Sequence, residues 1–176
     1  MHGVLNSIIN FIIVYLPPMA ANGAPVVFMH NRKGRPLDFG FKWIDGRRVL
    51  GDGKTIEGAL IYIASGVIVS AIISLALNNH MYTKVIVTGT VASIGALIGD
   101  IIESFFKRRI GLPRGAHLPL ADQLDFYIGA NIALILCSHC IKPMLQSYIA
   151  GVILIPVLHI VTNKVAFKLG LKKVPW

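Results

Sequence analysis

Charged residues are scarce in this sequence, and acidic residues are scarcer still. Only 14% of the 176 residues are charged, eight are Asp or Glu, and 55% are hydrophobic. With a mean hydropathy of +0.68, this composition is too apolar for an ordinary soluble domain. The two cysteines, Cys137 and Cys140, are too few for a disulfide framework or a four-ligand zinc site. We therefore predict a membrane protein that carries its chemistry at a membrane surface.

Long apolar stretches predict an all-α, polytopic membrane fold with about five transmembrane helices, because roughly 20 apolar residues cross a bilayer. The first stretch lacks a basic leader and an A-x-A cleavage pattern, so we expect a retained helix. Pro17-Pro18 should end or bend it, since proline has no N–H and crowds the preceding turn. The predicted helices span 4–21, 58–77, 85–106, 122–141 and 144–163, with a turn at 78–80 and polar loops at 29–55 and 107–121.

The basic residues predict the orientation in the membrane. Fifteen of the 17 lysines and arginines lie in the two polar loops and the C-terminal tail, whereas Lys84 and Lys142 lie on the opposite side. The positive-inside rule then places both loops and the C-terminus in the cytoplasm, and an odd number of helices leaves the N-terminus outside. Because the basic residues alternate with apolar runs, we expect anionic lipid and polyphosphate as partners rather than nucleic acid.

Two groups of acids predict a metal site. Asp100, Glu103, Ser104 and Lys107 recur at helical spacings of three and four, so they share one face of the third helix. Asp122 and Asp125 are three residues apart at the start of the fourth helix. Carboxylates near a membrane interface need partners, and Mg²⁺ prefers hard oxygen ligands. Carboxylates from two adjoining helices could therefore hold one or two Mg²⁺ ions, although Asp122 alone could simply cap its helix.

A glycine-rich stretch from 51 to 58 leads into the second helix. It contains Lys54 and Thr55 beside a helix N-terminus, which can receive a phosphate. It lacks the spacing of a P-loop and follows no predicted strand, so we exclude a P-loop NTPase.

Three short motifs resemble those of the membrane CTP-dependent cytidylyltransferases typified by CDP-diacylglycerol synthase. They are Lys54-Thr55-x-Glu57-Gly58, Ser104-x-x-Lys107-Arg108, and His117 followed by Asp122-x-x-Asp125. The short five-helix form is most similar to the archaeal CDP-archaeol synthases. The resemblance implies transfer of CMP from CTP to an isoprenoid diether lipid phosphate, 2,3-di-O-geranylgeranylglyceryl phosphate, with release of pyrophosphate.

Residue type suggests a role for each member of these motifs. We predict that Asp100, Asp122 and Asp125 hold Mg²⁺, with Glu103 as a further ligand, and that Lys107 acts with the three aspartates in catalysis. The predicted substrate-binding residues are Lys54, Thr55, Glu57, Ser104, Lys107, Arg108, Arg114 and His117. We expect a polar cavity between helices two, three and four that opens to the cytoplasm, with an apolar groove beside it for lipid chains.

Two other functions remain open at this point. A CTP-dependent polyprenol kinase would use similar basic and acidic loops, and a divalent-cation or phosphate transporter could use the same acids as a pathway. Without the motifs, Lys107, Arg108 and Arg109 would be read as interfacial anchors. We expect helix-packing roles for Cys137–Cys140 and for the small residues Gly89, Ala92, Gly95, Ala96 and Gly99. The sequence leaves the oligomeric state open, a homo-oligomer included.

Overall fold

The computed structural model describes residues 2–77, 81–113 and 115–175, so the predicted turn at 78–80 and Arg114 lie outside the described residues. The fold is all-α, as predicted. Four of the helices are long and apolar enough to cross a membrane, and the remaining one, α4, has 16 residues. The helices are α1 (His2–Phe28), α2 (Ile56–Ala76), α3 (Tyr82–Arg109), α4 (Ala121–Leu136) and α5 (Leu145–Lys168).

The first helix is longer than predicted. α1 continues past Pro17 and Pro18 to Phe28, so the predicted end at Ala21 is wrong. Membrane helices tolerate proline where neighbouring helices pack against the disturbed turn. Both prolines are fully buried, and a Cβ on Gly89 of α3 would lie only 2.8 Å from Cγ of Pro17. The glycine therefore leaves room for the proline ring.

The fourth helix ends earlier than predicted. α4 stops at Leu136, and a disulfide between Cys137 and Cys140 closes the turn that follows. The Lys142 ammonium donates to the carbonyl oxygens of Ile135 (3.1 Å) and Cys137 (2.6 Å) and also to that of Leu134. These bonds satisfy carbonyls that a helix end leaves without partners. Cys140 is buried in the core with Cys137 packed against it, as expected, and the disulfide adds a cross-linked turn that was not predicted.

Small residues let the helices approach closely, as predicted. Ala92 and Ala96 of α3 are fully buried. A Cβ on Gly95 would lie 2.5 Å from the carbonyl oxygen of Gly129 on α4, and a Cβ on Gly99 would collide with the carbonyl oxygen of Asp125. α3 and α4 thus touch backbone to backbone, which van der Waals packing in a membrane favours.

A network of tyrosines joins α1, α4 and α5. The Tyr15 hydroxyl donates to Asn131 Oδ1 at 2.9 Å, and its ring lies 5.2 Å from that of Tyr127. The Tyr127 hydroxyl donates to the Tyr148 carbonyl at 2.8 Å. These buried polar groups are paired, as a low-dielectric interior requires.

The two polar segments lie at the same end of the helices. The first polar loop (residues 29–55) carries two isolated antiparallel β-bridges, Pro36 with Thr55 and Lys42 with Arg48. The second polar loop (residues 110–120) is shorter than predicted because Lys107, Arg108 and Arg109 belong to the last turn of α3.

Candidate active site

Three carboxylates converge where α3 and α4 make their closest contact. Asp100 and Glu103 on α3 and Asp125 on α4 each offer an oxygen, and these oxygens lie within 4.8 Å of one another. We call this group the acidic cluster. Its position follows from the glycines, because Gly99 and Gly129 let the backbone of one helix reach the other at the level of Asp125. Sequence spacing predicted the acids as pairs within each helix, and the structure brings three of them together from the two helices.

Two lysines flank the acidic cluster. Lys54, at the end of the first polar loop, forms an ion pair with Asp100. Lys107 lies 2.8 Å from Glu103 Oε1 and 2.6 Å from Asp122 Oδ1. When fully ionised, the four carboxylates outweigh the two ammonium groups by two negative charges, which a divalent cation would offset.

Asp122 stands slightly apart from the other three acids. Its carboxylate accepts from the Leu118 backbone N–H at 3.2 Å, and its other oxygen lies 3.2 Å from His117 Nδ1. With Lys107 on the same carboxylate, Asp122 ties α3 to the second polar loop. The predicted metal set is therefore brought together in three of its four members, and Asp122 as a fourth ligand stays a prediction.

Two predicted substrate-binding residues hold the start of α2. Thr55 caps the helix, accepting from the Gly58 N–H at 3.1 Å. Glu57 accepts from the Arg35 backbone N–H at 2.7 Å and from Arg35 Nε at 2.9 Å. These bonds fix the loop directly beside Lys54, and binding of substrate by either residue stays a prediction.

Ser104 directly follows Glu103 of the acidic cluster, and Arg108 lies just over one turn further along α3. Arg108 Nη2 donates to the Pro113 carbonyl at 3.2 Å, which holds the second polar loop against α3. Ser104 is 9% exposed. Their contacts with substrate, like that of Arg114, stay predictions.

Sequence reasoning missed Asp38, which organises the first polar loop. Its side chain is 1% exposed and accepts from Arg48 Nη2 (2.6 Å) and from the N–H groups of Leu50 and Gly51 (both 2.9 Å). Burial alone would raise the pKa of Asp38, but the Arg48 and backbone hydrogen bonds outweigh it and hold that pKa well below its ordinary value. No spacing in the sequence marks these long-range bonds.

Arg109 docks the first polar loop on the end of α3. Its Nη1 donates to Asp45 Oδ1 at 2.6 Å. The guanidinium carbon lies 5.0 Å from the ring centre of Phe105 and 6.0 Å from that of Trp43, which is within cation–π range. The sequence alone suggested an interfacial anchor, whereas the structure shows a contact that positions Lys54 indirectly by fixing its loop.

A cavity of about 890 Å³ adjoins the acidic cluster. Lys54 and Asp100 lie in its wall, and much of the remaining lining is apolar and comes from α1, α2 and α5. No Cα atom of α2 lies within 8 Å of one of α5, and residues of both helices line the cavity. The predicted cavity between helices two, three and four is therefore only part of the site, because α1 and α5 supply most of the apolar wall.

Several further polar side chains in this cavity were not predicted as site residues. Tyr62 of α2 is 2% exposed, and its hydroxyl has no hydrogen-bond partner among the described residues. His159 of α5 and Lys172 of the C-terminal tail also line it. No sequence pattern marks them, because α2 is apolar on all sides and hydrophobic periodicity does not encode the path of the tail.

Comparisons with known proteins show relatives that match nearly the whole chain. The CarS-like family, described as CDP-archaeol synthase, matches residues 4–176. The CDP-archaeol synthase of Sulfolobus acidocaldarius is 45% identical over 94% of this chain and 96% of its own length. That of Aeropyrum pernix is 43% identical over 98% of this chain and 94% of its own length. A solved intramembrane enzyme for archaeal membrane lipid biosynthesis is 40% identical, with a TM-score of 0.75 over 86% of this chain and 91% of that one.

Proposed function

Because this chain belongs to the CDP-archaeol synthase family, we propose that it transfers CMP from CTP to 2,3-di-O-geranylgeranylglyceryl phosphate, forming CDP-archaeol and pyrophosphate. The observation that carries this proposal is the acidic cluster between Lys54 and Lys107, placed at the wall of a largely apolar cavity. Transfer to a lipid phosphate needs a charged site for the phosphates directly beside an apolar cavity for the lipid chains. Family membership also favours this reaction over the polyprenol kinase and the transporter.

The reaction needs positioned phosphates more than covalent help from the protein. An oxygen of the lipid phosphate attacks the α-phosphorus of CTP, a new P–O bond forms, and the bond to the β-phosphate breaks with release of pyrophosphate. The lipid phosphate is already anionic at neutral pH, so no side chain has to remove a proton. Electrostatic stabilisation of the charge on the phosphoryl oxygens is then the main task of the site.

Asp100, Glu103 and Asp125 are the residues we propose for binding Mg²⁺. They present hard oxygen donors within reach of one ion, and bound Mg²⁺ would offset charge on the phosphates. Asp122 remains a candidate fourth ligand, and its bond to Lys107 also positions that ammonium.

The basic residues of the same end would meet phosphate oxygens. Lys107 and Lys54 are held against the acidic cluster by ion pairs. Lys107, Arg108 and Arg114 are proposed for the triphosphate, with Ser104 and His117 beside them. Positive charge here would stabilise the leaving pyrophosphate.

The charge distribution supports a cytoplasmic active site. Fifteen of the 17 lysines and arginines lie in the two polar loops, at the C-terminal ends of α3 and α5 and in the C-terminal tail. We propose that this end of the protein faces the cytoplasm, where CTP is made, and that the N-terminus is outside.

The test follows label from CTP into lipid. Detergent-purified protein is incubated with Mg²⁺, α-labelled CTP and 2,3-di-O-geranylgeranylglyceryl phosphate, and the organic phase is counted. We expect labelled lipid from wild type, none after chelation by EDTA, and recovery when Mg²⁺ is restored. Asp125→Asn should lose at least about 100-fold in rate, because one donated metal ligand is gone.

The matched control is Asp52→Asn, which removes one carboxylate from an exposed position of the first polar loop. The Asp52 side chain is 61% exposed, so its ion pair with Arg48 contributes little to the free energy of folding. We expect near-wild-type activity. Folded wild-type protein that binds CTP but labels no lipid would contradict the proposed reaction, and unchanged activity in Asp125→Asn would contradict the proposed metal site.

A further inference from the structure

Four large apolar side chains are exposed within six residues of the first polar loop. They are Phe39 (72% exposed), Phe41 (69%), Trp43 and Ile44 (96%). Single exposed apolar residues are normal on a protein surface, whereas a contiguous group marks a surface that binds another molecule or a membrane. None of the four belongs to the acidic cluster or to the cavity beside it. They therefore need an explanation separate from the proposed reaction.

A short hairpin presents these side chains, and we call residues 39–49 the aromatic hairpin. Lys42 and Arg48 form its antiparallel β-bridge, and the Trp43 N–H donates to the Arg47 carbonyl at 2.7 Å. Gly46 has a φ of +76°, a conformation that lets the chain reverse at low steric cost because glycine has no Cβ. Residue 44 lies at the tip of this turn.

The base of the aromatic hairpin holds one aromatic residue in a costly conformation. Phe39 has a φ of +47°, which bulky L side chains rarely adopt. The buried Asp38 beside it accepts from the N–H groups of Leu50 and Gly51, and these bonds fix the turn. A glycine would take the same conformation without strain. The presence of an exposed phenyl group there indicates that the ring itself has a use at the surface.

The aromatic hairpin lies beside the lipid-facing surface of α3. The Trp43 ring packs edge to face on that of Phe105, with 5.4 Å between the ring centres. α3 also exposes an apolar stripe, whose members are four residues apart: Ile94, Ile98, Ile102 and Phe106. Such a stripe on a membrane-spanning helix faces lipid chains. The hairpin adjoins the last turn of this stripe, where the hydrocarbon gives way to the headgroups.

The charge of the aromatic hairpin favours a membrane surface over a second copy of the chain. Lys42 and Arg47 are exposed, and Asp45, the acid at its turn, is paired with Arg109 of α3. Two copies of one basic hairpin would repel each other, whereas anionic headgroups attract it. Aromatic side chains are also enriched at membrane interfaces, where one part of the ring meets hydrocarbon and another meets water.

We propose that the aromatic hairpin inserts into the bilayer interface, on the membrane face at which the acidic cluster lies. Phe39, Phe41 and Ile44 enter to about 5–10 Å, the depth at which amphipathic elements lie in that region. The inserted hairpin fixes the height of the chain that follows it, because the Lys54 carbonyl accepts from the Leu37 N–H at 2.8 Å. This inference goes beyond the proposed reaction and does not depend on it.

Fluorescence of a single tryptophan tests the insertion. The two tryptophans of the sequence, Trp43 and Trp176, are replaced by phenylalanine, and Ile44→Trp places the reporter at the exposed tip. The protein is embedded in nanodiscs of phosphatidylcholine and phosphatidylglycerol, so that both membrane faces meet the aqueous phase. We expect brominated lipid to quench the emission, more strongly with bromine near the headgroups than at the chain ends. Acrylamide in the water should quench it little.

The matched control is Asp52→Trp in the same background. Asp52 is paired with Arg48 at 2.8 Å, and Arg48 lies on the face of the hairpin opposite to Trp43 because side chains alternate along a strand. We expect acrylamide to quench this reporter strongly. Equally strong acrylamide quenching of the Ile44→Trp reporter would overturn the inference. Quenching of that reporter by neither agent would mean that protein, such as a second copy, covers the tip, and would also overturn it.

The natural tryptophan provides a second measurement on an otherwise native hairpin. Trp176→Phe leaves Trp43 as the reporter, and Ile44→Asp is compared with Ile44→Leu in nanodiscs. A carboxylate at the tip resists transfer into the interface, whereas leucine does not. We therefore expect acrylamide to quench Trp43 more strongly in Ile44→Asp, with Ile44→Leu unchanged. Equal quenching in the two variants would show that the tip does not hold the hairpin in the membrane, and the inference would fail.

Discussion

The buried hydroxyl of Tyr62 has no hydrogen-bond partner among the described residues. Such a group costs about 1–3 kcal/mol when it has no partner. It lines the cavity beside Asp100, so a bound phosphate oxygen or an ordered water there would complete it. We predict that Tyr62→Phe leaves the unfolding temperature of the unliganded protein unchanged or raises it, while kcat/KM falls about tenfold.

The check compares thermal unfolding without substrate and initial rates for the same preparations. Tyr148→Phe is the matched control, because Tyr148 is 43% exposed on α5 and is not part of the cavity wall. It should leave both quantities unchanged. A joint loss of stability and activity in Tyr62→Phe would show that the hydroxyl serves the fold instead.

Single residues differ in how far the sequence predicts them. The spacing of Asp100 with Glu103 predicted a shared helix face, and both carboxylates belong to the acidic cluster. It could not reveal that Lys107 would join Glu103 to Asp122, because that contact depends on how α3 and α4 pack. Asp38 and Lys172 were missed because chain reversals, rather than helical periodicity, bring their partners to them.

The α3–α4 contact determines the distance between the acids of the cluster. A Cβ on Gly129 would lie 3.0 Å from Gly99 Cα and collide with the carbonyl oxygen of Gly95. We predict that Gly129→Ala forces the helices apart, destabilises the protein by about 1–3 kcal/mol, and lowers the rate of lipid labelling about tenfold or more because Asp125 moves from Asp100.

Thermal unfolding and the labelling assay measure the two effects. Gly3→Ala in α1 is the control, because a Cβ there would meet nothing within 4 Å. It should be neutral or slightly stabilising, since alanine is the better helix former. Full activity in Gly129→Ala would mean that the backbone contact does not set the geometry of the cluster.

The helices were predictable in number and type, but less so in their ends. Hydrophobic length gave α2 within two residues at either end. α1 exceeded its prediction because Gly89 accommodates Pro17, and α4 fell short because Lys142 and the disulfide turn satisfy its last carbonyls. The first difference arises from a contact between α1 and α3, and the second from local side-chain contacts that hydrophobic length does not reveal.

The whole molecule is polarised along the membrane normal. The acidic cluster and most basic residues lie at one end, and the Cys137–Cys140 disulfide lies at the far end of α4. Disulfides persist most readily outside the reducing cytosol, so the cross-link agrees with an external position for that end.

Reporter fusions test this orientation. We predict that green fluorescent protein at the C-terminus is fluorescent and that alkaline phosphatase at the same place is inactive, because fifteen basic residues hold this end inside. Fusions placed directly after Lys142, before α5, serve as the control and should show the reverse pattern. Active phosphatase at the C-terminus would contradict the predicted topology.

The gap between α2 and α5 affects the substrate concentration on which the reaction rate depends. Because apolar residues of both helices line the cavity there, we expect an acceptor dissolved in the bilayer to reach it by lateral diffusion without passing through water. The concentration that determines the rate is then the mole fraction of the acceptor among the lipids of the bilayer. Adding inert lipid or detergent should slow the enzyme by dilution within the surface, even when the total amounts of both substrates stay constant.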